Sequence, residues 1–361
     1  MNMDFHYYGT FCAARIAGFG APESEEIAWA AQMVDDCTEN LLKDCGLTGG
    51  NYEATSEGTL ENLLDNLKYW SYNPDNTALR KIRRIWIPFH FLPGNLDTET
   101  YQQVYTGNKT WSPGNGPELL YFDENTDGAD FKCLCLHNST LVQNMIEDTI
   151  HMYQQNYHTN PEKRQFLLHL IGIRMHVLAD TWAHEFFVGT PNYWINDVSE
   201  INLINEDGID ISKIRTPSAP SCYSIAYLGH GRLGHYPDCG LLRYKYRPRW
   251  LGVDSNPCEK DNVHVFLSAF CQMTDALGDI IHGQRPFLAK DYSRADMNSS
   301  IDFAHLNLQN LLGNSPSSFP VYKKGENLTN PVKLKLFQDA AKHHRDMVCA
   351  VLNSNGIHTL S

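Results

Sequence analysis

The chain has 361 residues, of which 42% are hydrophobic, so it can bury a substantial core, and we expect a single domain over residues 1–361. Its formal net charge of -13 argues against the broad basic surface that duplex nucleic acid requires. The most apolar helical run is interrupted by His169, Arg174 and His176, so the sequence predicts no transmembrane segment.

The opening residues MNMDFHYYGTFCAARIAG contain no basic region followed by an apolar stretch, which is unlike a signal peptide. We therefore expect a cytoplasmic protein, or one that is secreted or delivered without an N-terminal signal peptide. The ten cysteines are spread from Cys12 to Cys349, which is typical of buried thiols and not of a small disulfide scaffold.

Helical periodicity dominates the chain. The first predicted helix covers residues 23–44, whose opening turn is acidic and suits the positive end of a helix. Residues 80–95 are predicted to be extended or irregular, and residues 95–135 and 191–257 are predicted to be long loops because they are rich in residues that favour turns. The other predicted helices cover residues 59–69, 138–157, 161–187, 260–282, 300–312 and 331–353. The pattern predicts an all-α, mostly helical fold with long irregular loops.

The long helix carries polar residues at four-residue steps. His176, Asp180 and His184 share one face of it, and apolar neighbours on that face turn it inward. A bound cation would satisfy the three groups together, and zinc prefers such nitrogen and oxygen donors. The alternative is an ordinary hydrogen-bonded row of core residues. His169, further upstream, is expected to belong to the core or to support the ligands.

Other histidines and aspartates occur in unusual surroundings. Asp4 and His6 could both reach one ion if their segment is extended. Taken singly, such residues are most often only solvated. The remaining candidates are Asp35 and Asp36 at the end of an alanine-rich helix, His90 between apolar residues and prolines, and His230, His235 and Asp238 in a glycine-rich loop.

Several of these segments form a known pattern. The motifs MDFHYYGT, AARIAGF, AWAAQMVDD, HVLADTWAHEFF and GHGRLGHYPD resemble the zinc-dependent phospholipase C superfamily, whose fold the fungal single-strand-specific nucleases share. They are more closely similar to a bacterial family of functionally uncharacterised proteins near those enzymes. The resemblance covers roughly residues 3–270 as scattered motifs. It implies a single mostly helical domain of the zinc-dependent phospholipase C type that holds two or three zinc ions.

The resemblance also implies a ligand set. His176 and Asp180 match the H-x-x-x-D pair of the superfamily, and His184 matches the next histidine, although it follows Asp180 by four residues instead of six. Asp4 replaces the processed N-terminal amine that the secreted enzymes use. The remaining matches are His6, either Asp35 or Asp36, His90, and His230 with Asp238 or His235 as its partner.

The implied reaction is hydrolysis of a phospholipid or another small phosphodiester by a zinc-bound hydroxide. Peripheral contact with a membrane is compatible with such a substrate. The candidate catalytic carboxylates are Asp35, Asp36 and Asp180, and the candidates for substrate contact are Arg232, Trp182 and Tyr236. Two alternatives stay open. One is a single-strand nuclease or nucleotidase of the same superfamily, which the net charge disfavours, and the other is a non-catalytic binding protein stabilised by zinc.

Overall fold

The computed structural model describes residues 1–47, 52–56, 77–96, 126–213, 225–251, 256–293, 295, 297–299, 320–322 and 330–358. The chain divides into two compact units. The first consists of Met1–Gly58, Thr140–Ala179 and Phe266–Ala350, and the second consists of Thr59–Ser139, Asp180–Val265 and Val351–Ser361. The expectation of a single domain stays a prediction.

The described residues are mostly helical, with short π-helical and 3-10 segments between the α-helices. The α-helices are α1 (Thr10–Ala17), α2 (Ala21–Asp36), α3 (Glu39–Asp44), α4 (Thr77–Phe89), α5 (Thr126–Lys132), α6 (Thr140–Asn156), α7 (Arg164–Ala183), α8 (Tyr193–Asn196), α9 (Asn262–His282) and α10 (Pro331–Ser354). None of these described helices combines the length and the apolar character that crossing a bilayer requires.

The helix predictions for residues 138–157, 260–282 and 331–353 are confirmed by α6, α9 and α10. The first predicted helix is divided into α2 and α3. The long helix begins with a 3-10 turn and ends at Ala183, because the chain then leaves the helix to exchange backbone hydrogen bonds with Cys135. The predicted helices at 59–69 and 300–312 lie outside the described residues.

The prediction of an extended segment at residues 80–95 is wrong for most of its length, because α4 continues to Phe89. Leu79, Ile82 and Phe89 are buried at helical spacing, and this periodicity decides the structure in spite of Pro88 near the end of the helix.

The prediction of a mostly helical fold is confirmed, but the fold is not all-α, because the predicted loop at residues 191–257 and the residues directly after it form a small sheet in the second unit. Its strands are β1 (Val198–Ile204), β2 (Asp210–Lys213), β3 (Arg243–Pro248) and β4 (Cys258–Asp261), in the antiparallel order β2-β1-β3-β4. Strand β3 alternates strictly, with Tyr244 and Tyr246 buried and Lys245 between them on the solvent face. That alternation favours a half-buried strand.

The buried face of the sheet helps to build the core of the second unit. Phe91, which follows α4, and Phe187, which follows α7, pack with Tyr244 and Tyr246 in one apolar cluster. Leu233 joins the same cluster. The segments that follow α4 and α7 and the loop around residue 230 therefore pack on a common core.

The core of the first unit depends on close approach between α2 and α7. The face of α2 that meets α7 is small, and Ala28, Ala30 and Ala31 are completely buried. Opposite them is Gly172, where a Cβ atom would lie 2.2 Å from the carbonyl oxygen of Ile27. The glycine is required because a larger residue would force the two helices apart.

We expect Gly172→Ala to lower the free energy of unfolding of the full chain by at least about 1–3 kcal/mol, the usual effect of overpacking. The matched control is Gly278→Ala, also inside a helix of the first unit, where an added Cβ meets nothing within 4 Å. That change should stabilise by about 0.5–1 kcal/mol, because alanine favours helix over glycine. Denaturant titration measures both, and equal effects would contradict the close approach.

Candidate functional site

His184 has a defined orientation in the second unit. It comes directly after α7, and its Nδ1–H donates to the carbonyl oxygen of His90 at 2.7 Å. A carbonyl oxygen can only accept, so the hydrogen of the neutral ring is on Nδ1 and the lone pair is on Nε2. This Nε2 atom lies 3.2 Å from Oδ1 of Asp238.

His230 is oriented in the same way. Its Nδ1–H donates to the carbonyl oxygen of Gly234 at 2.8 Å, and its Nε2 lies 3.7 Å from Oδ2 of Asp238. Burial lowers the pKa of His230 to about 4, although the nearby Asp238 acts in the opposite direction. His230 is therefore neutral at pH 7, and it also presents a lone pair to the carboxylate.

The preceding residue explains why the chain turns here. Gly229 has a φ of +52°, and a Cβ atom on it would lie 2.1 Å from the ring of Phe91. Only glycine combines this left-handed backbone with such close contact. The same Phe91 ring stacks on His184 with centroids 4.8 Å apart. One aromatic side chain of the core thus positions both histidines.

His184, His230 and Asp238 form a group that fits a metal ion, since each offers a ligand atom within 4.8 Å of the others. Asp238 also pairs with His235, whose Nδ1 lies 3.5 Å from Oδ2 of Asp238. One divalent cation could accept a lone pair from each of the two imidazoles and from the carboxylate. Donation of the second ring N–H to a carbonyl oxygen is also the usual way in which proteins orient metal-binding histidines.

A second group of the same composition lies in the first unit. The rings of His6 and His176 are fully buried and stacked, with centroids 3.8 Å apart. Their Nε2 atoms lie 4.0 Å and 3.8 Å from the two carboxylate oxygens of Asp35, which is too far for hydrogen bonds. Ligands of one tetrahedral ion are about 3.3–3.6 Å apart, so a small contraction would allow the three to bind a cation.

The structure separates the two neighbouring aspartates of α2. Asp35 faces the histidines, whereas Asp36 accepts a hydrogen bond from the hydroxyl of Tyr322. Asp4 is exposed and belongs to neither group. The extended segment that would let Asp4 and His6 reach one ion is not present, because Asp4–Gly9 is π-helical and residues two apart in a helix do not share a side.

His90 and Asp180 meet in the second unit behind His184. His90 Nδ1 lies 3.4 Å from Oδ2 of Asp180, and the same oxygen lies 3.6 Å from Nδ1 of His184. Both His90 and Asp180 are buried. His176, one helical turn before Asp180 in α7, belongs to the group of the first unit.

The three residues expected to touch substrate make contacts within the protein. Arg232 pairs with Asp197 at 3.1 Å, and Trp182 stacks on His137 with centroids 3.9 Å apart. Tyr236 packs against the core cluster of the second unit. These contacts are structural, and they leave substrate contact by the three residues as a prediction.

Sequence reasoning missed Asn262, which holds the turn that carries Asp238. The side-chain N–H groups of Asn262 donate to the carbonyl oxygens of Tyr236 and Cys239, each at 2.7 Å. No short-range pattern predicts this role, because Asn262 lies at the start of α9 and is distant in sequence from the turn of Asp238.

For His169 the sequence predicts a place in the core or a role in supporting the ligands, and the structure places it outside the candidate metal groups of the described residues. Its Nε2 lies 3.2 Å from Glu26. Burial raises the pKa of Glu26, but hydrogen bonds and charge from His169 and Lys333 outweigh this and hold it at about 2.

A protein-family model matches residues 1–328 of the chain. The chain belongs to DUF6765, a family of unknown function. No curated protein and no solved structure matches the chain. Membership of the family therefore leaves the chemistry of the two groups to be argued from their geometry.

The metal-binding groups predict a contrast between buried histidines. His176→Ala should lower the metal content of the purified protein by about one equivalent, whereas His169→Ala in the same helix should leave it unchanged, because His169 bonds to Glu26 instead. In the second unit, His230→Ala should lose metal and His137→Ala should retain it, because His137 bonds to Glu185. Elemental analysis of protein prepared without chelator measures the difference. Equal metal content in each pair would rule out the assignment.

The depressed pKa of Glu26 predicts a change of stability with pH. The ordinary value is 4.5 and the folded value is about 2, so the carboxylate stabilises the fold above pH 4.5 and this contribution is lost as the pH falls toward 2. Glu26→Gln should lower the free energy of unfolding by about 1–2 kcal/mol at pH 7, after allowance for partial exposure, and by little near pH 2. The exposed neighbour serves as the control, and Glu25→Gln should show no such pH-dependent difference.

Proposed function

We propose that the protein is a zinc-dependent phosphodiesterase that hydrolyses a phospholipid or a related small phosphodiester. The observation that carries the proposal is the convergence of two carbonyl-oriented imidazoles on one carboxylate in the second unit. Three protein ligands leave a coordination position for water or substrate, as in catalytic zinc sites, whereas structural zinc sites are closed by four.

The reaction class comes from the resemblance of the sequence motifs to the zinc-dependent phospholipase C superfamily. The structure supports it through the composition of both groups, since imidazole and carboxylate are the donors that zinc accepts in hydrolytic sites. The net charge of -13 favours a small diester over an extended nucleic acid strand, which normally binds along a basic track.

His184, His230 and Asp238 would hold one ion, and His6, Asp35 and His176 would hold another. Bound zinc supplies Lewis-acid stabilisation of the phosphoryl oxygens and lowers the pKa of a coordinated water. The protein contributes orientation. The carbonyl groups of His90 and Gly234 accept from the Nδ1–H groups of the two histidines in the second unit, so both Nε2 atoms are aimed at a common point.

Asp180 has a supporting role in this arrangement. Its carboxylate lies beside His90 and within 3.6 Å of His184 Nδ1, so its negative charge favours the hydrogen on that nitrogen. Such outer partners typically change metal affinity or activity by about 10–100-fold when they are removed.

Hydrolysis should depend on the ligand carboxylate of the second unit. With phosphatidylcholine and with bis(p-nitrophenyl) phosphate, we expect turnover that chelator removes and added zinc restores. Asp238→Asn should lower kcat/KM at least about a hundredfold and reduce zinc content, because the loss of a metal ligand should cost more than the loss of an outer partner. The control Glu259→Gln removes an exposed carboxylate from β4 of the same unit and should change neither kcat/KM nor zinc content.

Single-stranded DNA is the third substrate in this assay. If the protein hydrolyses DNA in preference to the other two substrates, the proposed substrate becomes a nucleic acid instead of a phospholipid. Zinc-loaded protein that hydrolyses none of the three would show that the metal is not catalytic toward phosphodiesters and would overturn the proposal.

A further inference from the structure

The exposed apolar side chains of the second unit are not scattered. Among its described residues, the large apolar side chains that are exposed are Ile209, Ile211, Leu241 and Val263, between 42% and 89% accessible. Single exposed apolar residues are common on protein surfaces and need no explanation. These four residues do need an explanation, because they lie at the same place on the surface.

The register of the sheet brings the four residues to the same end. Ile204, the last residue of β1, pairs with Asp210 at the start of β2, and Arg243 at the start of β3 pairs with Asp261 at the end of β4. Leu203 also pairs with Tyr244, so the end of β1 lies beside the start of β3. Ile209 and Ile211 flank the start of β2, Leu241 precedes β3, and Val263 follows β4. Neighbouring strands are about 4.8 Å apart, so the four side chains span about 15 Å across one sheet end.

This sheet end is continuous with the candidate metal centre of the second unit. Leu241 follows Asp238 by three residues, in the turn that leads into β3. Val263 follows Asn262, whose side chain bonds to the backbone on both sides of Asp238. The turn that presents the ligand carboxylate is thus built into the apolar end of the sheet.

The location argues against pairing with another strand. In the part of the chain that the structure describes, the edge strand β2 has four residues, from Asp210 to Lys213, and joins β1 through a register shift. Short, charged and irregular edges are the features by which proteins avoid edge-to-edge association. Ile209 and Leu241 lie in turns outside the strands, Ile211 lies in β2, and Val263 lies in the first turn of α9.

The charges at this end favour one kind of surface. The hairpin turn beside Ile209 carries the exposed carboxylates of Glu206 and Asp207, which would be repelled by an anionic lipid surface. In a zwitterionic bilayer the outermost groups are ammonium groups, and carboxylates complement them. The basic side chains Arg243 and Lys245 on the solvent face pair with Asp261 and Asp210.

We propose that the end of the sheet formed by Ile209, Ile211, Leu241 and Val263 docks on a zwitterionic phospholipid bilayer and brings the turn of Asp238 to the headgroups. Lipid docking is independent of turnover. The further step, that the docked headgroup is the substrate, rests on the proposed function.

The test is co-sedimentation of the full-length protein with vesicles of pure phosphatidylcholine and of phosphatidylcholine mixed with phosphatidylglycerol. We expect the wild type to bind the zwitterionic vesicles and to bind the anionic mixture more weakly at low salt. The double variant Ile209→Ser/Leu241→Ser should bind at least about tenfold more weakly, because two apolar contacts with the bilayer are lost. The matched control is Leu288→Ser/Val332→Ser, which removes two similarly exposed apolar side chains of the first unit and should bind as the wild type does.

Wild-type protein that does not bind phosphatidylcholine vesicles would overturn the proposal, and so would equal loss of binding in both double variants. A concentration-dependent dimer in sedimentation velocity that the Ile209→Ser/Leu241→Ser change abolishes, without vesicle binding, would assign the surface to a second copy of the chain instead. Hydrolysis of soluble bis(p-nitrophenyl) phosphate by the wild type is measured separately. Its absence would contradict the proposed function while leaving the vesicle result intact.

Discussion

Two backbone carbonyl oxygens decide which ring nitrogen carries the hydrogen in His184 and in His230. The candidate metal group of the second unit depends on this choice. With the Nδ1 hydrogens committed to His90 and Gly234, both Nε2 lone pairs meet the carboxylate of Asp238. The three donor atoms are thereby close enough to share one cation.

The arrangement of the second unit follows from its core. Phe91 stacks on one of these histidines and forces a glycine before the other, while the tyrosines of β3 pack below it. The apolar interior therefore sets the distances between ligands that come from distant parts of the chain. The group in the first unit has the same composition but a different construction, because its two histidines stack on each other beside Asp35 in the last turn of the alanine-rich helix α2.

How far the sequence predicts this molecule depends on the range of the forces involved. Helices α6, α9 and α10 follow from local periodicity, and so does the shared face of His176 and Asp180. The sequence does not predict the sheet, because its short strands lie among glycines and prolines. The alternation around Tyr244 is the one local signal that favours a strand there. The choice between Asp35 and Asp36 depends on how α2 is rotated in the core, and the role of Asn262 depends on a contact between distant segments. Neither is a property of a short stretch of sequence.

The use of main-chain oxygens as the outer partners of the histidines has a consequence for mutational scanning. Replacing His90 removes an imidazole but keeps the carbonyl group that orients His184, and no substitution at Gly234 deletes the carbonyl group that orients His230. A survey in which side chains are truncated one by one would therefore register the ligands and overlook what aligns them. Backbone editing, such as ester replacement of a peptide bond, would be needed to reveal that second layer.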